Sequence, residues 1–172
     1  MIICKKIEAY YFLTSIKEHS KTKKVLLSLI NQIPKTQYED VSHTDWNLPK
    51  DYVRPYLAPF VDIIKPYMFK LTKKMKHKTW GIHNFWFQQY EKKGYHNWHT
   101  HGSTQFSNVY FLELPDKKYG TEFLNVVTNK KFKINVKEGD LLTFPSCMFH
   151  RSPKINSKKR KTIIAFNSSF DF

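Results

Sequence analysis

Residues 80–90, Trp80-Gly-Ile-His-Asn-Phe-Trp-Phe-Gln-Gln-Tyr90, and residues 105–112, Gln105-Phe-Ser-Asn-Val-Tyr-Phe-Leu112, decide the fold. Both are rich in aromatic and β-branched side chains and follow the period of two that a pleated strand imposes on its two faces. The same pattern predicts strands around Trp98–His101 and over Thr121–Val127, Lys131–Val136, Asp140–Phe144 and Thr162–Ser168. Turn-forming residues separate them: Lys92-Lys-Gly94, Gly102-Ser, Pro115 to Gly120, Thr128-Asn-Lys, Lys137-Glu-Gly-Asp140 and Pro153 to Lys159. Seven or eight short strands with hairpin-length connections in roughly 90 residues point to an antiparallel double-sheet jelly roll or small barrel.

Upstream of residue 79 the periodicity is helical. Val25, Leu26, Leu29, Ile30 and Ile33 form one apolar face within Ser20–Ile33, and Pro34 stops it. A second helix is predicted between Tyr56 and Lys76, carried by Phe60, Ile63, Ile64, Tyr67, Met68 and Leu71; Pro59 can begin it, and Pro66 should kink or split it. The segment between them, Asn31–Arg54, reads mostly as loop, with a polar cluster at His43-Thr-Asp-Trp46. At 172 residues the chain suits a single domain: a helical lead-in over 1–78 that covers one sheet face, and a jelly-roll core over 79–172. The fold class expected is therefore mainly β with flanking N-terminal helices.

Composition bounds the partners. A hydrophobic content of 41% is enough to build a core, and the formal net charge of +15 draws the chain towards polyanions. The cations, however, are 26 lysines and only 3 arginines (Arg54, Arg151 and Arg160), which suits codon usage in an AT-rich genome at least as well as a nucleic-acid surface; readers of nucleic acid favour the arginine fork. Cys4 and Cys147 make no disulfide framework and no zinc spacing. The start, MIICKKIEAYYFLTSIKEHSK, lacks the apolar stretch of a signal peptide, and no run approaches the roughly 20 apolar residues of a membrane span. A cytoplasmic protein without membrane association is expected, of undefined oligomeric state.

Chemistry concentrates in the histidines. Of eight, three fall within Tyr95-His-Asn-Trp-His-Thr-His101. Residues i and i+2 of a strand share a face, so His99 and His101 can offer two imidazoles to one metal. His150, just beyond the apolar strand Asp140–Phe144, is the best third ligand. His96 has an odd offset from His99 and should face the other way. Three ligands on one side of an octahedral metal leave the opposite positions open, as in non-haem Fe(II) oxygenases.

Five blocks then resemble a known family: His99-Thr-His101, Phe106 to Pro115, Glu138-Gly-Asp-Leu-Leu-Thr-Phe-Pro-Ser146, His150-Arg-Ser-Pro153 and Arg160-Lys-Thr-Ile-Ile-Ala-Phe-Asn167. In order and spacing they are similar to the Fe(II)/2-oxoglutarate-dependent oxygenases of the double-stranded β-helix (cupin-like jelly roll) fold, nearest to uncharacterised members from bacteria and phages. The resemblance covers about residues 80–170. It implies Fe(II), 2-oxoglutarate and O2 as cofactor and cosubstrates, and hydroxylation with release of succinate and CO2. His99 and His150 match iron ligands. His101 stands where most members carry Asp or Glu, so it is either a third imidazole ligand or a residue behind the metal sphere.

The family's basic-x-Ser/Thr pair, which holds the distal carboxylate of 2-oxoglutarate, matches Arg160 with Thr162, or Lys161 when counted back from Phe166-Asn167. Arg160 is slightly preferred for its bidentate geometry. Tyr110 resembles a tyrosine that reaches the oxoacid, and Asn108 shares its strand face. Gln88 and Arg151 are further candidates to line the site. Three readings follow: this oxygenase; a three-histidine, cupin-type dioxygenase that needs no 2-oxoglutarate; and a non-catalytic basic jelly-roll module. A protein side chain or small molecule is the favoured substrate class, with nucleic acid kept open by the charge.

Overall fold

The computed structural model describes residues 3 and 8–171. Two antiparallel sheets face each other. The larger contains β1 (Phe12–Ser15), β2 (His43–Thr44), β3 (Thr79–Tyr90), β5 (Phe106–Glu113), β8 (Asp140–Pro145) and β10 (Lys161–Asp171), ordered β1-β8-β5-β10-β3-β2. The smaller contains β4 (His96–His99), β6 (Glu122–Asn125), β7 (Lys130–Lys133) and β9 (His150–Ser152), ordered β4-β9-β6-β7. This is the jelly roll that the strand pattern predicts.

The alternation along β10 shows why these residues build two layers. Ile164, Phe166 and Phe170 face one core and Ile163 and Ala165 the other. The first core lies under the helices α1 (His19–Ile30) and α2 (Leu57–Lys74), which add Leu26, Ile30, Phe60, Ile64 and Met68. The second fills the space between the sheets with Trp86, Val109, Phe111, Phe123, Leu142 and Phe144. Phe60 stacks on Tyr110 at 5.8 Å between ring centroids and meets Phe166 edge-on at the same distance. Full burial of each such side chain stabilises by about 1.5–3 kcal/mol, which fixes the helices to the sheet.

Two local expectations are corrected, and two short edge strands add to the pattern. Helix α2 begins at Leu57, before Pro59, and continues through Pro66 without splitting; the buried row Phe60, Ile64, Met68 and Thr72 outweighs the one lost backbone bond. The first helix ends at Ile30, because the backbone tightens to Ile33 N–H donating to Ile30 O before Pro34. Strand β1 was not legible as a strand; it pairs with β8 from Phe12↔Thr143 to Ser15↔Asp140 at the sheet edge. Within Asn31–Arg54 a two-residue strand, β2, pairs with Gln88 and Gln89.

The loop after β2 is anchored by Asp45, whose carboxylate is wholly buried. It accepts from Arg54 Nε at 2.9 Å, Tyr56 OH at 2.8 Å and the Phe87 backbone N–H at 2.9 Å. Burial raises its carboxyl above the usual carboxylate range, against those donors and the Arg54 charge. The turn before β8 needs Gly139: its φ is +87°, and a Cβ there would stand 2.9 Å from the His19 ring. Cys147 is exposed, and Cys4 lies outside the described residues. No helix among the described residues is long and apolar enough to cross a membrane.

Candidate metal centre

His99 and His150 face each other as partners in the β4–β9 ladder, and His101 follows at the end of β4. Ring centroids are 4.2 Å apart for His99–His150, 5.0 Å for His99–His101 and 5.3 Å for His101–His150. One ligating nitrogen from each lies within 4.8 Å of the other two. Among the described residues this is the group of His, Cys, Asp or Glu side chains able to hold a metal ion.

The hydrogen bonds orient two of these rings. His99 Nδ1 lies 2.7 Å from the Asn97 carbonyl and His150 Nδ1 lies 2.8 Å from the Met148 carbonyl. A carbonyl can only accept, so both Nδ1 atoms carry the proton and both Nε2 lone pairs are left for a cation. Burial holds all three imidazoles neutral: His150 is pushed down to about 3, His101 to about 4, and His99 below its ordinary value. Neutral imidazoles, two of them with the tautomer fixed, are the donors a divalent transition metal requires.

His96 belongs to the same wall. Its ring is 4.2 Å from that of His99, and its Nδ1 lies 3.4 Å from Gln88 Nε2. The expectation that it faces away assumed a regular strand. The β4–β9 register shifts between His96 and His99, so three residues of β9 span four of β4 and the offset no longer reverses the face.

Opposite the histidines the cleft is lined from the large sheet by Trp86, Gln88 and Tyr90 of β3 and by Lys161, Ile163 and Asn167 of β10. Lys161 is 1% exposed. Its Nζ donates to Ser152 Oγ at 2.8 Å and lies 5.1 Å over the Tyr90 ring. Burial pushes the ammonium down to about 7. Tyr90 OH donates to Gln88 Oε1 at 2.7 Å, so Gln88 connects Tyr90 to His96 across the cleft floor.

The other sequence candidates are placed elsewhere. Arg160 lies outside the sandwich, its Nε donating to Glu113 at 2.8 Å, and Thr162 donates to the same carboxylate from the opposite face to Lys161. Tyr110 points into the helix-side core, where its hydroxyl meets His19 Nδ1 at 2.7 Å. Asn108 borders the cleft, but its amide is spent on the Phe166 carbonyl, Ser168 and Thr143. Arg151 also borders it, paired with Glu122 at 2.5 Å and laid over Trp98 at 4.5 Å. Tyr90 and Ser152 escaped the sequence reading; the i, i+2 series Trp86, Gln88, Tyr90 was the available signal for the first.

No family model and no curated protein matches the chain's sequence. Solved structures match its fold. The viral collagen prolyl hydroxylase of Paramecium bursaria Chlorella virus-1, in its 2-oxoglutarate complex, superposes with a TM-score of 0.67 at 14% identity over 95% of this chain and 96% of that one. A 2OG-Fe(II) oxygenase family oxidoreductase from Burkholderia pseudomallei gives 0.70 at 12% identity over 92% and 84%. HygX from Streptomyces hygroscopicus, with nickel and 2-oxoglutarate bound, gives 0.68 at 10% identity over 92% and 82%. The fold is the jelly roll of the 2OG-Fe(II) oxygenases.

Proposed function

We propose that the protein is a non-haem Fe(II) oxygenase that hydroxylates an organic substrate at the expense of 2-oxoglutarate and O2, releasing succinate and CO2. The observation that carries this is the pairing, in one cleft, of three convergent neutral imidazoles with a single buried lysine. His99, His101 and His150 are the residues that would hold the iron. Bound there, Fe(II) supplies the activation of O2, with the four electrons for its reduction drawn two from oxidative decarboxylation of 2-oxoglutarate and two from the substrate C–H bond.

The chain's own contribution is positioning. The Asn97 and Met148 carbonyls hold two rings so that their Nε2 atoms point inward. Lys161, with Ser152 Oγ beside it, is the partner for the distal carboxylate; a carboxylate brought against it favours the ammonium form that burial alone disfavours. Trp86, Val109, Ile163 and Ala165 surround the cleft with apolar surface that keeps water away. Because no ligand is a carboxylate, the positive charge gathered in the cleft is offset by the two carboxylates of the cosubstrate and not by the protein.

One observation favours the three-histidine dioxygenase instead. With Lys161 folded onto Ser152 the cleft has about 30 Å³ of free space, close to that of a single water. Slow succinate formation without added substrate, in the presence of Fe(II), 2-oxoglutarate and O2, separates the two. Wild type should form it, and His99→Ala and His150→Ala should each reduce the rate by roughly 100-fold or more, as removal of a metal ligand does. Oxygen uptake that is indifferent to 2-oxoglutarate would transfer the assignment to the three-histidine reading.

A further inference from the structure

A second cavity, about 280 Å³, opens directly beside the histidines and shares Trp86, Gln88, His96, His99 and His101 with the cleft. Its walls are aromatic. Trp46 meets Trp86 edge-on at 4.8 Å, Trp86 leans on His101 at 5.6 Å, and across the groove Tyr38 stands edge-on to His96 at 6.4 Å. Trp46 is 44% exposed, although a side chain of that size is ordinarily buried, and the Asp45 anchor next to it fixes where it stands.

The charge of the groove departs from that of the molecule. In a chain of 26 lysines, no lysine or arginine lines it, and its one formal charge is the Glu39 carboxylate. Arg151, the nearest guanidinium at the Trp98 rim, is committed to Glu122. Glu39 is held where it is by strained backbone: its φ is +48°, inside a turn closed by Val41 N–H donating to Tyr38 O at 2.9 Å. That turn docks through the Asp40 carbonyl, which accepts from Tyr95 N–H at 3.2 Å and comes so close to Gly94 that a Cβ there would stand 3.1 Å away.

We propose that this groove is the substrate-binding site and that it selects a compact organic cation, such as an alkylated ammonium group, over a polyanion or a neutral ring. Its role as a substrate site rests on the oxygenase reading; the binding itself does not. The faces of Trp and Tyr rings attract cations through their quadrupoles, and a carboxylate at the rim adds to that attraction. A nucleic-acid strand would use the same rings for stacking but needs lysine or arginine to neutralise its phosphates, and here it would meet Glu39. A proline-like ring would use the aromatic walls and leave Glu39 without a role.

The test uses the full chain with Fe(II) and 2-oxoglutarate under nitrogen, titrated at constant ionic strength with tetramethylammonium chloride or with neutral tert-butanol, and followed by tryptophan fluorescence. Tetramethylammonium should bind saturably and tert-butanol should not. Glu39→Gln and Trp46→Ala, both at exposed positions, should each weaken tetramethylammonium binding by about tenfold or more, as expected for a loss near 1.4 kcal/mol. Equal binding of the neutral probe, or an unchanged affinity in Glu39→Gln, overturns the proposal. So does a dT10 oligonucleotide or N-acetylproline methylamide that occupies the groove in wild type and not in Trp46→Ala. The visible Fe(II)/2-oxoglutarate absorption of the same samples keeps the two readings apart: absorption without cation binding refutes the groove proposal alone, and cation binding without absorption refutes the oxygenase reading alone.

Discussion

Lys161→Met is expected to weaken 2-oxoglutarate binding by roughly 100-fold, as removal of one partner of a buried charge pair does, while leaving the fold at least as stable as wild type. The two effects have opposite signs for one reason. Lys161 is enclosed by Tyr90, Phe111 and Ser152 with no carboxylate beside it, so in the absence of the oxoacid its ammonium is a desolvation cost. A methionine of similar length removes that cost together with the buried ammonium that the cleft offers to a carboxylate. The same burial gives the wild-type protein a pH signature. Between about 7, where burial holds the folded group, and its ordinary 10.5, the unfolded chain binds more protons than the folded one. Stability should therefore rise with pH across that window, and Lys161→Met should flatten the rise. Calorimetric titration with 2-oxoglutarate and urea denaturation at several pH values check the two halves; unchanged oxoacid affinity would remove Lys161 from the site. Arg160→Met, by contrast, should affect the oxoacid little, since its guanidinium is paired with Glu113 outside the sandwich.

Asp45→Ala should destabilise the protein by about 3–5 kcal/mol, the range for breaking a buried ion pair by removing one partner. Three donors converge on this carboxylate: the Tyr56 hydroxyl and the Phe87 amide would lose their buried acceptor, and the part-buried Arg54 guanidinium its counter-charge, keeping only backbone carbonyls. Tyr56 begins the approach to α2 and Phe87 lies in the middle of β3, so one side chain ties the loop to both layers. Urea denaturation monitored by circular dichroism measures the loss; an effect below about 1 kcal/mol would mean that the anchor is replaced by water. Asp45→Asn, which keeps one acceptor, should lie between.

The strands of the two cores were legible because side-chain alternation is a property of each strand alone: Trp86 and Phe87, or Ile163 and Ile164, announce two buried faces without reference to the rest of the chain. The convergence of His99, His101 and His150 was legible for the same reason, as a local i, i+2 pair joined to a residue at the edge of a later strand. What the sequence could not reveal depends on pairings made at a distance. The register shift that turns His96 towards the cleft exists only in the β4–β9 ladder. Which of Arg160 and Lys161 faces the sandwich interior depends on the parity of β10, which Ile163 and Ala165 set once β10 is paired with β3 and β5. Tyr110 depends on the same parity: it points to the helices, and the odd-numbered Val109 and Phe111 point between the sheets, while Asn108 borders the cleft with its amide spent on neighbouring strands. Short edge strands such as β1 and β2 carry too few residues for a period to be recognised.

We take the three imidazoles and Lys161 together to make one binding site for a metal and a chelating oxoacid. Anaerobic titration of the protein with Fe(II), with and without 2-oxoglutarate, followed by visible absorption for the charge-transfer band of a chelated Fe(II) complex, tests it most directly. A band should appear that requires both components, is lost in His150→Ala, and in Lys161→Met needs roughly 100-fold more 2-oxoglutarate to form. Iron binding with no oxoacid-dependent band, or a band that survives unchanged in His150→Ala, would contradict it.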